Sequence, residues 1–369
     1  MPLLINKLAN SAIDIHCHGI GEFDFTALDQ IDLAKIEHIL AIRNHYAILT
    51  MYLHETRFAA FLNLLEKFHQ GKKLAKYQHI LGFGLEGPLL SSCGGTPHDY
   101  IWQPSKRQWQ QLVACGKQGL IYNIFSPDVE FLKHKSNSHP NNITWLVETL
   151  LDGGVLPAVG HITKNVSNIQ NTAIKLQLIY DIIAYWGYGA TITDHLYNDM
   201  PLNFRHAWRT PAVKMCRNKD IKNLNLSSWS SSNLEEKLGL IPATIIKYAK
   251  KGLVKIAMNF DGEHVDLAIV KKTVEIVGAE NLIMMTDSIE SKMLANKKLT
   301  QLQDSTLLYQ DENIVAAGSQ NIASQIKNMQ LIGLTAGEIK LITQLVAQQI
   351  LDKREKFIND NTHFSKISE

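Results

Sequence analysis

Two histidines, His16 and His18 in IDIHCHG, stand two residues apart where an apolar run ends. On an extended strand residues i and i+2 face the same side, so both imidazoles can grip one ion. Four further stretches repeat the arrangement. GFGLEGP delivers Glu86, PAVGHIT His161, ATITDHLYN His195 and IMMTDS Asp287. Imidazoles and carboxylates brought to one place make a divalent-metal site. Taken singly, each has an ordinary explanation: Glu86 a salt-bridged structural acid, His161 and His195 hydrogen-bonded core histidines, Asp287 the N-cap of the following segment. Five such stretches, each putting ligand-type residues where an apolar run ends, argue for a shared purpose. The chemistry would be hydrolysis. An amide carbonyl is a poor electrophile and neutral water a poor nucleophile; a metal polarises the first and lowers the pKa of the second from about 16 to roughly 7. A nearby carboxylate that shuttles the proton typically adds ~10²–10⁴-fold.

Such a site needs elements that converge. Short runs rich in Ile, Val, Leu and Ala, typical of strands buried on both faces, recur at Ala12–His18, Ala47–Leu53, His79–Glu86, Leu120–Phe125, Val155–His161, Ala190–His195, Val254–Asn259 and Leu282–Asp287. Helix-length segments separate them, with amphipathic spacing clearest at Ile31–Asn44 and Phe58–Phe68. Eight alternations of strand and helix predict a (β/α)8 barrel of the TIM type, whose C-terminal mouth collects catalytic groups. An open doubly wound sheet is the alternative, but it would place its site at one crevice. Here the candidate ligands come from strands one, three, five, six and eight.

Arg205–Lys237 breaks the rhythm. Polar and Ser/Asn-rich, it reads as an inserted loop reaching residue 238, either a lid or a tolerated insertion. LLYQDENIVAAGS reads as a hairpin with Asp311–Asn313 at its tip. Thr335–Asn361 reads as a terminal helix packed on the barrel, followed by a polar tail. The whole chain, 1–369, is expected to be one domain.

Composition narrows the classes. The 369 residues are 45% hydrophobic, enough for a large core, and the net charge of +2 without a basic run gives no footing for nucleic acid. No apolar run approaches the ~18 residues of a membrane span, and the apolar piece at the start is too short for a signal peptide. Cys17, Cys93, Cys115 and Cys216 lie scattered without CxxC spacing, so a reduced, cytoplasmic enzyme is expected.

In order along the chain, FGLEGPLL, VGHIT, DHLYNDM, DGEHVD and MMTDS together resemble the N-acetylglucosamine-6-phosphate deacetylase family of the amidohydrolase superfamily. The resemblance runs from about Ile13 to Ser319; LEGP and HLYNxM are its specific parts. It implies that Glu86, His161 and His195 hold the principal divalent metal, with Zn first and Fe, Mn, Co or Ni as alternatives. His16 and His18 would complete a second position, giving one ion or two. Asp287 would be the general base that takes a proton from the attacking water and returns it to the leaving amine. Asn198, His264 and Arg205 would hold the sugar and its phosphate, the arginine reaching across a homodimer interface. Thr96 and His98 resemble a substrate-contacting loop, and Ala317 and Gly318 a backbone segment that touches the ligand. The implied substrate is a small N-acyl amino sugar.

The sequence also departs from that family. Only fifteen residues precede His16, and the chain end lacks the Gly-rich strands of the family's small β-sandwich, so the barrel is expected alone. Asp199 stands where the family has Ala, and Glu263 adds a second acid beside His264. A carboxylate ~4 Å from a phosphate costs on the order of 1–4 kcal/mol at surface-like dielectric unless a cation intervenes. A weakened preference for 6-phosphate is therefore expected. Two other readings stand beside this one: a non-catalytic barrel that keeps metal as a staple and binds a ligand or partner, and an amidohydrolase acting on another amide or an ester.

Overall fold

The computed structural model describes residues 11–131, 142–163, 168–204, 211–310 and 314–360. Eight parallel strands fall where the apolar runs predict them: β1 Ile13–Cys17, β2 Tyr46–Met51, β3 Ile80–Glu86, β4 Leu120–Phe125, β5 Leu156–Val159, β6 Thr191–Ile192, β7 Val254–Met258 and β8 Leu282–Met284. Nearly every strand residue is buried, as expected for a parallel sheet covered on both faces. Strands β1 to β5 pair in chain order into one curled sheet, and β6 to β8 pair into another. A parallel bridge between Val159 and Thr193 joins the two at one seam. At the opposite seam Asp287 N–H donates to His16 O at 2.9 Å, and His18 N–H to Ser288 O at 2.8 Å.

The connecting helices carry their own stop and start signals. Asp32 caps Leu33–Arg43, which Asn44 ends in a left-handed conformation. Ser105 and Gln108 form a capping box at the head of Lys106–Ala114. Asp266 caps Leu267–Val277.

Two expectations need correction. The sixth and eighth apolar runs pair as strands only over Thr191–Ile192 and Leu282–Met284, so His195 and Asp287 sit past the strand ends, where the backbone is free to turn. The segment expected as an inserted loop is largely helical, over Pro211–Asn223 and Leu234–Leu238. It docks through Arg217, which is buried and donates to the carbonyls of Glu263 and Gly262 at 3.1 and 3.3 Å. A run of polar residues thus hides one cation that backbone acceptors hold in place.

The hairpin is present, with Leu307–Tyr309 antiparallel to Val315–Gly318; its expected tip, Asp311–Asn313, lies outside the described residues. The terminal helix runs over Ala336–Lys340, a π turn at Leu341–Leu345 and then Val346–Asp360. It packs under the N-terminal ends of the strands. Arg354, fully buried, donates through Nη2 to Gly116 O and Leu120 O at 2.6 and 2.9 Å. Ile358 fills the space above Gly154.

Candidate metal centre

At the C-terminal ends of the strands the predicted ligands meet. Glu86 ends β3, and its Oε1 lies 2.7 Å from His161 Nε2. Its Oε2 lies 3.1 Å from His16 Nε2 and 3.3 Å from His18 Nε2. The two β1 imidazoles stand 3.2 Å apart, Nε2 to Nε2. Asp287 reaches in from β8, with Oδ1 3.2 Å from His18 Nε2 and Oδ2 3.4 Å from His264 Nε2. All of these side chains are buried.

Asp194 joins them. Its Oδ2 is 3.2 Å from His161 Nε2 and 3.4 Å from His195 Nε2, and its Oδ1 is 3.5 Å from His16 Nδ1. The donors fall into two groups, Glu86, His161, Asp194 and His195 in one and His16, His18 and Asp287 in the other. Within each group the ligand atoms lie within 4.8 Å of one another. Short distances here do not mean hydrogen bonds: Glu86 Oε2, His161 Nε2 and both Asp194 oxygens are buried without one. Donor atoms that converge on common points without bonding each other are what a divalent cation requires, so the residues present fit the group that they were expected to hold.

The electrostatics agree. Burial pulls the His18 imidazole down, but Asp287 and Glu86 hold it up, at about 10. Burial likewise opposes the charged form of His161, yet Asp194, Asp199 and Glu86 keep it well above its ordinary value. Burial pushes the Asp287 carboxyl up, while His18, His264, His16 and His195 hold it at about 2. Asp287 is therefore held as the carboxylate at neutral pH.

The surrounding residues set these groups in place. Asp14, one inward step along β1 from His16, accepts from His16 N, Thr286 N and Thr286 Oγ1, tying β1 to the residue before Asp287. Asp261 Oδ2 lies 2.5 Å from His264 Nδ1, which turns His264 Nε2 toward Asp287. Burial opposes protonation of His264, but Asp261 and Asp287 raise it to about 9.

Asp199 lies 3.2 Å through Oδ2 from His161 Nδ1, so its charge sits behind a ligand histidine. Gly94 passes so close above this pair that a Cβ would come within 3.0 Å of both side chains. Thr96 Oγ1 donates to Glu86 Oε1 at 3.3 Å.

A cavity opens above the centre, lined among others by Tyr52, Asn198, Asp199, Glu263, His264 and Ala316. Of the other expected substrate residues that are described, His98, Ala317 and Gly318 are not in that lining. His98 sits on an exposed turn beside Cys93, outside the lining. Ala317 packs in one cluster with Tyr52, Ile289 and Ala316, of which Tyr52 and Ala316 line the cavity. Gly318 bonds the backbone of Asp287, donating to its carbonyl at 2.6 Å. Arg205 lies outside the described residues.

The sequence reading missed Asp194, Asp14, Asp261 and Arg217. For Asp14 a signal was present, because 14, 16 and 18 share one strand face. For Asp194 the signal was its place beside His195.

The fold and site together define an α/β protein built on a curled parallel sheet, with a candidate metal centre at the strand ends. Compared as a sequence, the chain matches no protein-family model and no curated relative. Compared as a structure, it shares its fold with N-acetylglucosamine-6-phosphate deacetylases. The one from Pasteurella multocida matches with a TM-score of 0.65 at 14% identity, covering 93% of this chain and 76% of that one. The Thermotoga maritima enzyme gives 0.63 at 16% identity over 92% and 78% of the two chains. A Mycobacterium smegmatis deacetylase mutant in complex with N-acetyl-D-glucosamine-6-phosphate gives 0.64 at 16% identity over 92% and 77%. The resemblance seen in the motifs thus extends to the whole fold. Among the described residues no helix is long and apolar enough to cross a membrane.

Proposed function

We propose that this chain is a metal-dependent amidohydrolase that removes an acyl group from an N-acylated amino sugar. One observation carries the reading: Glu86, His161, His195, His16, His18 and Asp287, from five different strand ends, converge in one buried cluster beneath a cavity. We read the two sheets as a complete (β/α)8 barrel and residues 1–369 as one domain, the seam hydrogen bonds and the Val159–Thr193 bridge supporting closure.

Glu86, His161 and His195 would hold the principal ion, with His16 and His18 at the neighbouring position; Zn is the first choice, and Fe, Mn, Co or Ni suit the same donors. A divalent ion supplies Lewis acidity there, polarising an acyl carbonyl and acidifying water. The protein's own groups do the rest. Asp287, deprotonated and held between His18 and His264, takes the proton of the attacking water and delivers it to the departing amine nitrogen. His264, protonated at neutral pH, faces the cavity and donates to substrate oxygen through Nε2. Asn198 Nδ2, buried without a partner, offers a donor to the sugar. A homodimer belongs to the same reading.

Among the described residues the cavity lining carries Asp199 and Glu263 and no lysine or arginine. Lys214 bonds Glu263 Oε1 at 2.9 Å and neutralises part of that charge. This supports a substrate whose 6-position is not selected strongly as phosphate. A non-catalytic staple would not need Asp287 and its His264–Asp261 relay.

The test is acetate release from N-acetylated amino sugars with and without 6-phosphate, using metal-loaded protein. Hydrolysis with little preference between the two supports the whole reading. A preference of several hundredfold for phosphate would sink the specificity part, and no release from any N-acyl sugar would sink the activity.

A further inference from the structure

Three buried aspartates surround the centre, and two of them are fully satisfied. Asp14 accepts two backbone N–H groups and a hydroxyl, and Asp261 accepts two backbone N–H groups and faces His264 Nδ1. Asp194, buried as deeply, has no hydrogen bond at either oxygen among the described residues. Its oxygens instead face three imidazoles, at 3.2, 3.4 and 3.5 Å, and a buried carboxylate set among ligand-type nitrogens is suited to hold a cation. The chain also makes room for it: a Cβ at Gly160 would lie 2.5 Å from Asp194 Cβ and 2.6 Å from its Oδ2.

Resting on the metal-centre reading above, we infer that Asp194 is a further metal ligand, completing a four-donor position with Glu86, His161 and His195 while its other oxygen orients His16. Oδ2 faces the two imidazoles of that position at 3.2 and 3.4 Å. Oδ1 faces His16 Nδ1 at 3.5 Å, on the ring edge opposite the Nε2 that points at Glu86 and His18. A carboxylate on the far nitrogen of a ligand histidine fixes its tautomer and orientation. One side chain therefore couples the two positions. Two carboxylates and two imidazoles also balance a divalent charge and form a harder donor set than one carboxylate with two imidazoles.

The experiment is a Co²⁺ titration followed by calorimetry and by visible absorption, on wild type, Asp194→Asn and His195→Ala. Both variants should weaken the first-bound ion by about a hundredfold or more and change the cobalt ligand-field bands, which report the donor set. Wild-type cobalt bands in Asp194→Asn, with His195→Ala altered, would overturn the assignment of Asp194 and leave the metal centre standing. Unchanged binding in both variants would overturn the metal centre itself and this inference with it. If Asp194→Asn fails to fold, the cobalt-loaded wild-type crystal structure decides: Asp194 Oδ2 should lie ~2.0–2.3 Å from the ion, and a separation beyond ~3 Å overturns the inference.

Discussion

The two ends of the strand bundle both bury polar groups but arrange them differently. At the N-terminal end Arg354 is enclosed, and its Nη2 meets the carbonyls of Gly116 and Leu120, while Ile350, Leu351 and Ile358 of the same helix are buried too. At the C-terminal end Glu86, Asp194 and His161 are as deeply enclosed, yet their atoms converge without bonding. His161 and Asp287 there also hold left-handed backbone angles, φ 51° and 50°, which non-glycine residues rarely adopt. Orphaned atoms occur at the base too, Arg354 Nε and Tyr188 Oη among them, but among the described residues it is at the mouth that several ligand-type atoms crowd round common points, as a cation requires. The difference assigns stability to the base and chemistry to the mouth.

If that division holds, single substitutions should separate cleanly. The largest effect belongs to Glu86→Gln, which removes the carboxylate shared by three imidazoles. Bound divalent metal and turnover should disappear together, and elemental analysis showing full occupancy would break the assignment. Asp287→Asn should come next, with kcat lower by ~10²–10⁴-fold while at least one ion and the melting temperature are kept. Near wild-type turnover in this variant would favour the staple reading. Asp199→Asn acts one step further out, through His161, and should weaken metal affinity ~10–100-fold as measured by competition with a chelator. An unchanged affinity would mean that Asp199 serves the cavity alone. Arg354→Ala should have the least effect on chemistry and the reverse signature. Losing charged hydrogen bonds of about 1.5–3 kcal/mol each should lower the thermal midpoint while kcat of the folded fraction stays the same. A large fall in kcat there would show that the two ends are not independent.

How much of this the sequence carried depends on range. His16, His18, Glu86, His161, His195 and Asp287 were legible because each ends or follows a buried apolar run, even where, as at His161, His195 and Asp287, the paired strand stops before it. Asp194 was not singled out although it stands beside His195; its distances to His161, His195 and His16 show where it points. Arg217 was hidden for a different reason. Its partners are the backbone carbonyls of Gly262 and Glu263, some forty-five residues away, and a carbonyl leaves no mark in a sequence. Ala316, not Ala317, faces the cavity because the pairing of Leu307–Tyr309 with Val315–Gly318 shifts register, matching Leu308 to Ala317 but Tyr309 to Val315. One extra residue reverses which face a side chain takes, and composition cannot register that.

The most direct test of the central claim is metal removal and return on the unaltered chain. The protein is stripped with a chelator, its metal content is measured, and acetate release from N-acetylated amino sugars is followed before and after adding back a divalent ion. The account predicts that release ceases with the metal and returns with it, while the stripped protein keeps its secondary structure. Full activity in protein with no detectable ion would contradict it.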